Sequence, residues 1–251
     1  MTKASLHGLK VLVTRPESQA RTLCEGIASA GGEAIAFPVI EILPVEKEQW
    51  SGVDLTDYNI LIFVSRNAVK YFTAEWQQSI PAELKIMAVG AGTAQSMSKQ
   101  GLRVDAFPES GASSETLLTL AELKHISGFK VLIVRGKGGR ELLADSLMAR
   151  GAKVDYLEVY QRKLPSLPEQ SIMVALEADC MVVTSIAGLD NLCKLLAPNG
   201  DRLIAKPLLV ISERIRQHAI VLGFKQVMVV AGASDDMVMQ QLLTMRDDNE
   251  Q

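Results

Sequence analysis

Hydrophobic and polar positions along the chain follow two alternating patterns. Short apolar runs at residues 11–14 (VLVT), 35–43, 60–64, 86–89 and 104–107 (VDAF) are separated by stretches where apolar side chains return every three or four positions. Ala20, Leu23, Cys24, Ile27 and Ala28 form one such helical face, and Ala68, Val69, Phe72 and Trp76 another. The order then recurs, with strands predicted at 131–134, 154–160, 181–185, 208–212 and 227–231. Continuous apolar strands joined by amphipathic helices predict parallel sheets covered on both faces. Two segments stand apart: FPVIEILP (37–44) and LEVYQRKLP (157–165) are long, carry interior polar residues and end in proline. They read as exposed connectors rather than central strands. If so, the first strand and helix of each half belong to a different domain from the rest of that half.

The recurrence is a repeat. A displacement of 120 residues lays the segment from Lys130 over the segment from Lys10. Val11, Leu12, Arg15, Leu23 and Gly31 then meet identical residues at Val131, Leu132, Arg135, Leu143 and Gly151. Ile60 lies over Cys180 and Ser65 over Ser185, after which Gly101 pairs with Gly223, and GASSE (111–115) with GASDD (232–236). Collinear matches of this kind indicate tandem duplication. The expected fold class is α/β, with two similar doubly wound parallel-sheet domains. Ser65 and Ser185 are predicted N-caps of equivalent helices, and the tail TMRDDNEQ is expected to fray.

Composition narrows the function classes. A chain of 251 residues accommodates two domains, and 48% apolar with 22% charged residues is ordinary globular composition. A net charge of −3 excludes a broad basic field for nucleic acid or acidic membrane, and 5% aromatics argue against base-stacking platforms. Cys24, Cys180 and Cys193 lie far apart in apolar contexts and read as buried reduced thiols. No histidine pair has ligand spacing, so no metal is expected. The N-terminus lacks a signal-peptide core and no run is long enough to span a membrane, so a cytoplasmic, soluble protein is expected.

Ligands of open parallel sheets bind at the carboxyl ends of strands. Here those ends are 14–16, 65–67, 90–93 and 108–114, and in the second copy 135–139, 185–188, 212–214 and 231–234. They are rich in Gly, Ser and Thr. Read as helix starts they are anion sites; read blandly they are caps and turns. RGKGGRE (135–141) and GAGTA (90–94) match neither nucleotide-phosphate spacing, and there is no nucleophile elbow. Positions where the copies differ mark broken symmetry: Ile40 against Tyr160, Pro16 against Gly136, Asn67 against Ala187, Gly92 against Arg214. Tyr160 on the expected connector either donates a proton or hydrogen bond, or packs its ring.

The ordered set VLVTRPESQA, FPVIEI, FVSRNAV, VGAGTA, ETLL, LIVRGKGGRELL, EVYQR and VISERI resembles bacterial uroporphyrinogen-III synthases over essentially the whole chain. The resemblance implies two α/β domains joined by a two-stranded connector, with substrate in the cleft. Residues 1–37 and 166–251 would form the first domain, 45–156 the second, and 38–44 with 157–165 the connector. It implies a monomeric, cofactor-free enzyme that cyclises the linear tetrapyrrole hydroxymethylbilane with inversion of ring D and loss of water. Tyr160 matches the tyrosine proposed to help the hydroxyl leave, Ser65, Thr93 and Ser185 match polar cleft positions, and Ser212 at its strand end is a further substrate-binding candidate. Asn67 stands where some relatives have arginine and Arg214 where some have threonine. Arg15 matches the T-R-P arginine, a substrate ligand or a structural cap. A non-enzymatic two-domain anion binder is the alternative from another class.

Overall fold

The computed structural model describes residues 5–50, 52–230, 232 and 234–248. The first repeat contains β1 (Lys10–Val13), α1 (Glu17–Ser29), β2 (Glu33–Ala36), β3 (Glu41–Pro44), β4 (Ile60–Phe63), α2 (Arg66–Glu75), β5 (Lys85–Ala88), α3 (Ala91–Lys99) and α4 (Ser114–Leu117). The second opens with β6 (Lys130–Gly136), α5 (Leu142–Ala149), β7 (Lys153–Lys163), α6 (Glu169–Ala175) and β8 (Cys180–Val183). It closes with α7 (Ile186–Leu195), α8 (Gly200–Ile204), β9 (Leu208–Val210), α9 (Glu213–Val221), β10 (Val227–Val229) and α10 (Asp235–Asp248).

The chain divides into two compact units: residues 1–41 with 163–251, and residues 42–162. The first unit's sheet has the order β10-β9-β8-β1-β2, with every neighbouring pair parallel. The second unit's sheet has the order β3-β7-β6-β4-β5, parallel from β7 to β5. Each sheet therefore mixes the repeats. β1 and β2 sit beside the second repeat's β8, β9 and β10, whereas β6 and β7 sit beside the first repeat's β4 and β5. In each unit a strand pair winds one way and the others wind back, the doubly wound arrangement.

Alternation along the strands explains why both sheet faces are covered. Val11 and Val13 enter one core with Cys180 and Val182, while Leu12 enters another with Met181 and Val183. In the second unit Leu61 and Phe63 face a core with Leu132, Val134 and Phe72, and Ile60 and Ile62 face one with Val131, Ile133 and Leu147. Each such fully buried side chain contributes about 1.5–3 kcal/mol, so a strand apolar on both faces is held centrally.

Several expectations are corrected. Residues 104–107 form no strand; Ala106 makes a single bridge to Met87. The segment expected as one strand at 35–43 is broken, because β2 ends at Ala36 and β3 starts at Glu41. Phe37 and Val39 in the break are buried, not exposed. β7 extends into the expected connector, with Leu157, Val159 and Tyr160 buried in the second unit's core, while residues 162–164 are exposed. The chain passes from one unit to the other at 41/42 and 162/163, inside the two expected connector segments. α10 continues to Asp248, so the TMRDD of the tail is helical; residues 249–251 lie outside the described part, as do 231 and 233 of the last expected ligand loop. The three cysteines are unpaired, but only Cys180 is fully buried. Burial pushes its thiol up to about 12. Among the described residues no helix is long and apolar enough to cross a membrane, and no three His, Cys, Asp or Glu side chains cluster as metal ligands.

Candidate functional site

The second unit's topology switches direction between β6 and β4, the position at which a doubly wound sheet opens a crevice. A cavity of about 270 Å³ lies there, at the carboxyl ends of the two strands. Val64 and Ser65 line it after β4, Arg135 and Gly136 at the end of β6, Gly138, Gly139 and Arg140 after it, and Ser114 from the start of α4. Leu143 and Ala144 of α5 complete an apolar wall, and β7 supplies Tyr156, Tyr160 and Arg162.

A bulge in β7 places Tyr160. Ile133 pairs with Tyr156 and Arg135 with Glu158, but Gly136 pairs with Tyr160, leaving Val159 as an extra residue. Strict alternation would send Tyr160 to the face of Tyr156. The bulge instead turns it, with Val159, toward the core containing Phe63 and Phe72. Its ring then lies over Gly136, where a Cβ would meet Tyr160 Cε2 and Cζ at 2.5 Å. The other side of the ring stacks on Tyr71, with centroids 5.8 Å apart. The residue is 1% exposed, and its hydroxyl is hydrogen-bonded to Ser65 Oγ at 3.2 Å. Arg162 Nη2 donates to the same oxygen at 3.0 Å.

Ser65 serves two purposes. As the N-cap of α2, its Oγ accepts the Ala68 N–H at 3.0 Å, while its own hydrogen stays available to the phenol or to a ligand. Opposite it, the loop after β6 is built around Arg135, which is 6% exposed. Its guanidinium donates to the carbonyls of Gly136 and Gly138 and, at 3.2 Å, to Glu141 Oε1. It also lies 4.4 Å over the Tyr156 ring. Gly139 adopts φ +119°, and a side chain there would reach Arg135 Nη2 at 2.9 Å, so the wrap requires glycine. Tyr156 donates its hydroxyl to Glu141. Burial, then the bond to Glu141, pushes Tyr156 up to about 12, and that bond, with Arg135 beside it, holds Glu141 below the usual carboxylate range. Arg140 pairs with Glu115 at 2.6 Å on the surface. Two phenols, two serine hydroxyls and three guanidinium groups around an open cavity suit a small molecule bearing several carboxylates.

Of the expected site residues, Tyr160 and Ser65 come together here. Asn67 lies half-buried in the first turn of α2 and Thr93 is buried in α3, both outside the cavity lining. In the first unit, Ser185 caps α7 by accepting the Gly188 N–H at 3.0 Å, and Ser212 caps α9 through Ile215 N–H at 3.4 Å. Arg214 is exposed in the first turn of α9. Arg15 forms an ion pair with Asp235, tying the end of β1 to the start of α10. Sequence reasoning placed Arg135 in a candidate strand-end loop, 135–139, but not among the site residues, and it overlooked Arg140, Tyr156 and Arg162.

The fold and cavity define a doubly wound α/β protein of two units with a strand-end cavity lined by arginine, tyrosine and serine side chains. A family model described as uroporphyrinogen-III synthase HemD matches residues 21–238. The chain is 33% identical over 248 residues to the uroporphyrinogen-III synthase of Escherichia coli K12, covering 93% of this chain and 100% of the relative. It is 32% identical over the same length to that of Salmonella typhimurium LT2, with 93% and 100% covered. The fold is similar to the solved uroporphyrinogen-III synthetase of Helicobacter pylori 26695, with TM-score 0.67, 16% identity and coverage of 94% and 99%. A mutant uroporphyrinogen III synthase from the extremely thermophilic bacterium Thermus thermophilus gives TM-score 0.61 at 16% identity, with 95% and 100% covered. The chain belongs to the uroporphyrinogen-III synthase family.

Proposed function

We propose that the protein is a cyclising lyase that converts hydroxymethylbilane into uroporphyrinogen III in tetrapyrrole biosynthesis. Family membership over nearly the whole chain carries this reading, and it favours an enzyme over a non-catalytic anion binder. The phenol of Tyr160 at the end of a cavity ringed by arginines supports the accompanying mechanism.

In that mechanism the C–O bond of the ring A hydroxymethyl group breaks with its electron pair going to oxygen. Tyr160 supplies the proton, water leaves, and the pyrrole nitrogen's electrons hold the methylene carbon as an azafulvenium. Attack by the substituted carbon of ring D gives a spiro intermediate, which fragments and recloses at the free carbon of ring D. That carbon's proton is released on closure and restores the phenol. The substrate is reactive enough to close without inversion, so the larger task is to hold ring D in the inverting geometry. Arg135 and Arg140 are proposed to bind substrate carboxylates with Ser65 and Ser114. Asn67 and Thr93, and in the other unit Ser185, Ser212 and Arg214, are proposed as further carboxylate positions in first helical turns or at their caps. Arg15, engaged by Asp235, is proposed to be structural. The protein is proposed to act in the cytoplasm as a monomer without cofactor.

Purified protein given fresh hydroxymethylbilane should yield isomer III selectively, whereas the isomer I distribution of the uncatalysed reaction would overturn the activity. Tyr160→Phe should slow isomer III formation by about 100-fold or more; full turnover would remove Tyr160 as the acid.

A further inference from the structure

We infer that Arg162 is the positioning residue that aims the Tyr160 proton into the cavity, an inference that rests on the proton-donor reading of Tyr160. A guanidinium only donates hydrogen bonds. Because Arg162 Nη2 donates to Tyr160 Oη at 3.0 Å, that oxygen is used as an acceptor on the Arg162 side. The phenol hydrogen must then point elsewhere. Its neighbour there is Ser65 Oγ at 3.2 Å, on the cavity wall, or a ligand group that takes Ser65's place.

The remaining surroundings leave Arg162 as the charge that acts on this oxygen. On its own strand, Glu158 accepts the Gly138 N–H at 3.1 Å. From α2, the uncharged Tyr71 covers the ring, and Lys70 sits 5.2 Å over Tyr71 rather than over Tyr160. From β6, Gly136 offers only backbone, and the Lys137 N–H is given to the Tyr160 carbonyl at 2.7 Å. Arg135 is engaged by Glu141 and two carbonyls, and Arg140 by Glu115. Arg162 enters no ion pair among the described residues, and its Cζ lies 5.3 Å from the Tyr160 ring centroid. Its charge is therefore not neutralised by an ion pair among the described residues. When the proton moves from Tyr160 Oη to the departing hydroxyl oxygen, the phenol oxygen gains negative charge where this guanidinium already points. The bond orients the donor beforehand and steadies the phenolate afterwards.

A double-mutant cycle separates this role from direct carboxylate binding. The rate of isomer III formation is measured for the wild type, Arg162→Met, Tyr160→Phe and the double variant, with spontaneous isomer I formation as an internal clock. Arg162→Met should lower kcat about 10–100-fold with a smaller change in KM, and Arg162→Lys should recover most of the loss. In the Tyr160→Phe background, Arg162→Met should add no more than about twofold. Equal losses in both backgrounds, or a loss confined to KM, would overturn the inference in favour of a substrate contact. Wild-type kcat for Arg162→Met beside a slow Tyr160→Phe would overturn it while leaving the acid role intact. A fully active Tyr160→Phe would instead overturn the acid reading beneath it. Should Arg162→Met fold poorly, Arg162→Gly with added methylguanidinium replaces it; rescue must appear with Tyr160 and vanish with Phe at that position.

Discussion

Gly136→Ala tests the geometry on which the site depends. Gly136 is not among the residues with positive φ, so alanine meets no backbone penalty, and in a strand it would ordinarily stabilise by about 0.5–1 kcal/mol. The obstacle is one ring. The new methyl would lie 2.5 Å from two Tyr160 ring carbons and 3.0 Å from a third, so the ring must retreat by roughly 1 Å to regain normal contact. It is 1% exposed and stacked on Tyr71, so the ring must either shift Tyr71 or move into the cavity it lines. Overpacking of this kind costs about 1–3 kcal/mol, which outweighs the gain in backbone entropy. The same retreat pulls the hydroxyl from Ser65 and Arg162, and a misplacement of about 1 Å at a reacting group lowers kcat by roughly 100-fold. Urea unfolding gives the first quantity and isomer III kinetics the second. In a Tyr160→Ile background, which mimics Ile40 of the other copy, Gly136→Ala should cost almost nothing in stability. Unchanged stability and kcat for Gly136→Ala in the wild-type background would refute the argument.

Three further outcomes are expected. Ser185→Ala removes the Oγ that accepts the Gly188 N–H and should lower unfolding free energy by about 1 kcal/mol, measured by urea denaturation. Gly90→Ser copies the Ser212 cap onto α3, yet should destabilise by about 1 kcal/mol or more, because its Cβ would lie 2.6 Å from Ala112 Cβ and 2.8 Å from Ala112 Cα; a raised Tm would contradict this. Tyr58 and Tyr156 are both pushed up to about 12, chiefly by burial and then by Asp155 and Glu141. The folded state holds these protons more tightly than the unfolded chain, so this stability is complete below about pH 10 and is lost as pH rises toward 12. Urea midpoints should fall across that window, less steeply in Tyr58→Phe and Tyr156→Phe; an equally steep fall in both variants would contradict the assignment.

Periodicity made the elements legible where local pattern and tertiary demand coincide. Ser65, Ser185 and Ser212 all cap the helices that follow them, and the repeat aligned β1 with β6 and β4 with β8 before any coordinates. The errors share one cause. The pattern at 104–107 has apolar residues at strand spacing but lies at the sheet edge, where Ala106 forms a single bridge and Asp105 N–H reaches Ile86 O without extending it into a strand. β7 keeps its polar residues exposed or half-exposed, as their pattern suggested, but buries Leu157, Val159 and Tyr160 between them. The extra Val159 that turns Tyr160 toward Gly136 leaves no composition signal, because a bulge changes which face a residue occupies without changing the residues. Without the bulge, the association of Tyr160 with Arg162 and Ser65 could not be read from spacing.

The duplication shows how the switch points of the two units differ. Arg15 and Arg135 are equivalent, as are Asp235 and Ser114, so each unit places one arginine and one helix start beside its switch point. In the first unit the pair is acid and base, and Asp235 closes on Arg15, whose side chain is 10% exposed. In the second the acid is replaced by a hydroxyl. Ser114 lines the cavity without neutralising a guanidinium, and Arg135 and Arg140 find their carboxylates on Glu141 and Glu115 at its edge. Ser114→Asp should therefore recreate the first unit's arrangement. A carboxylate on the cavity wall would compete for the arginines proposed to hold substrate acids, and each charge-assisted bond lost is worth about 1.5–3 kcal/mol. KM should rise by about 10-fold or more with kcat changed far less, and stability should be level with the wild type or slightly higher, because the new acid also sits favourably in the first turn of α4. Ser114→Asn, of similar size and uncharged, should leave KM within about twofold. An unchanged KM in Ser114→Asp would mean that the arginines around this cavity do not bind the substrate's carboxylates.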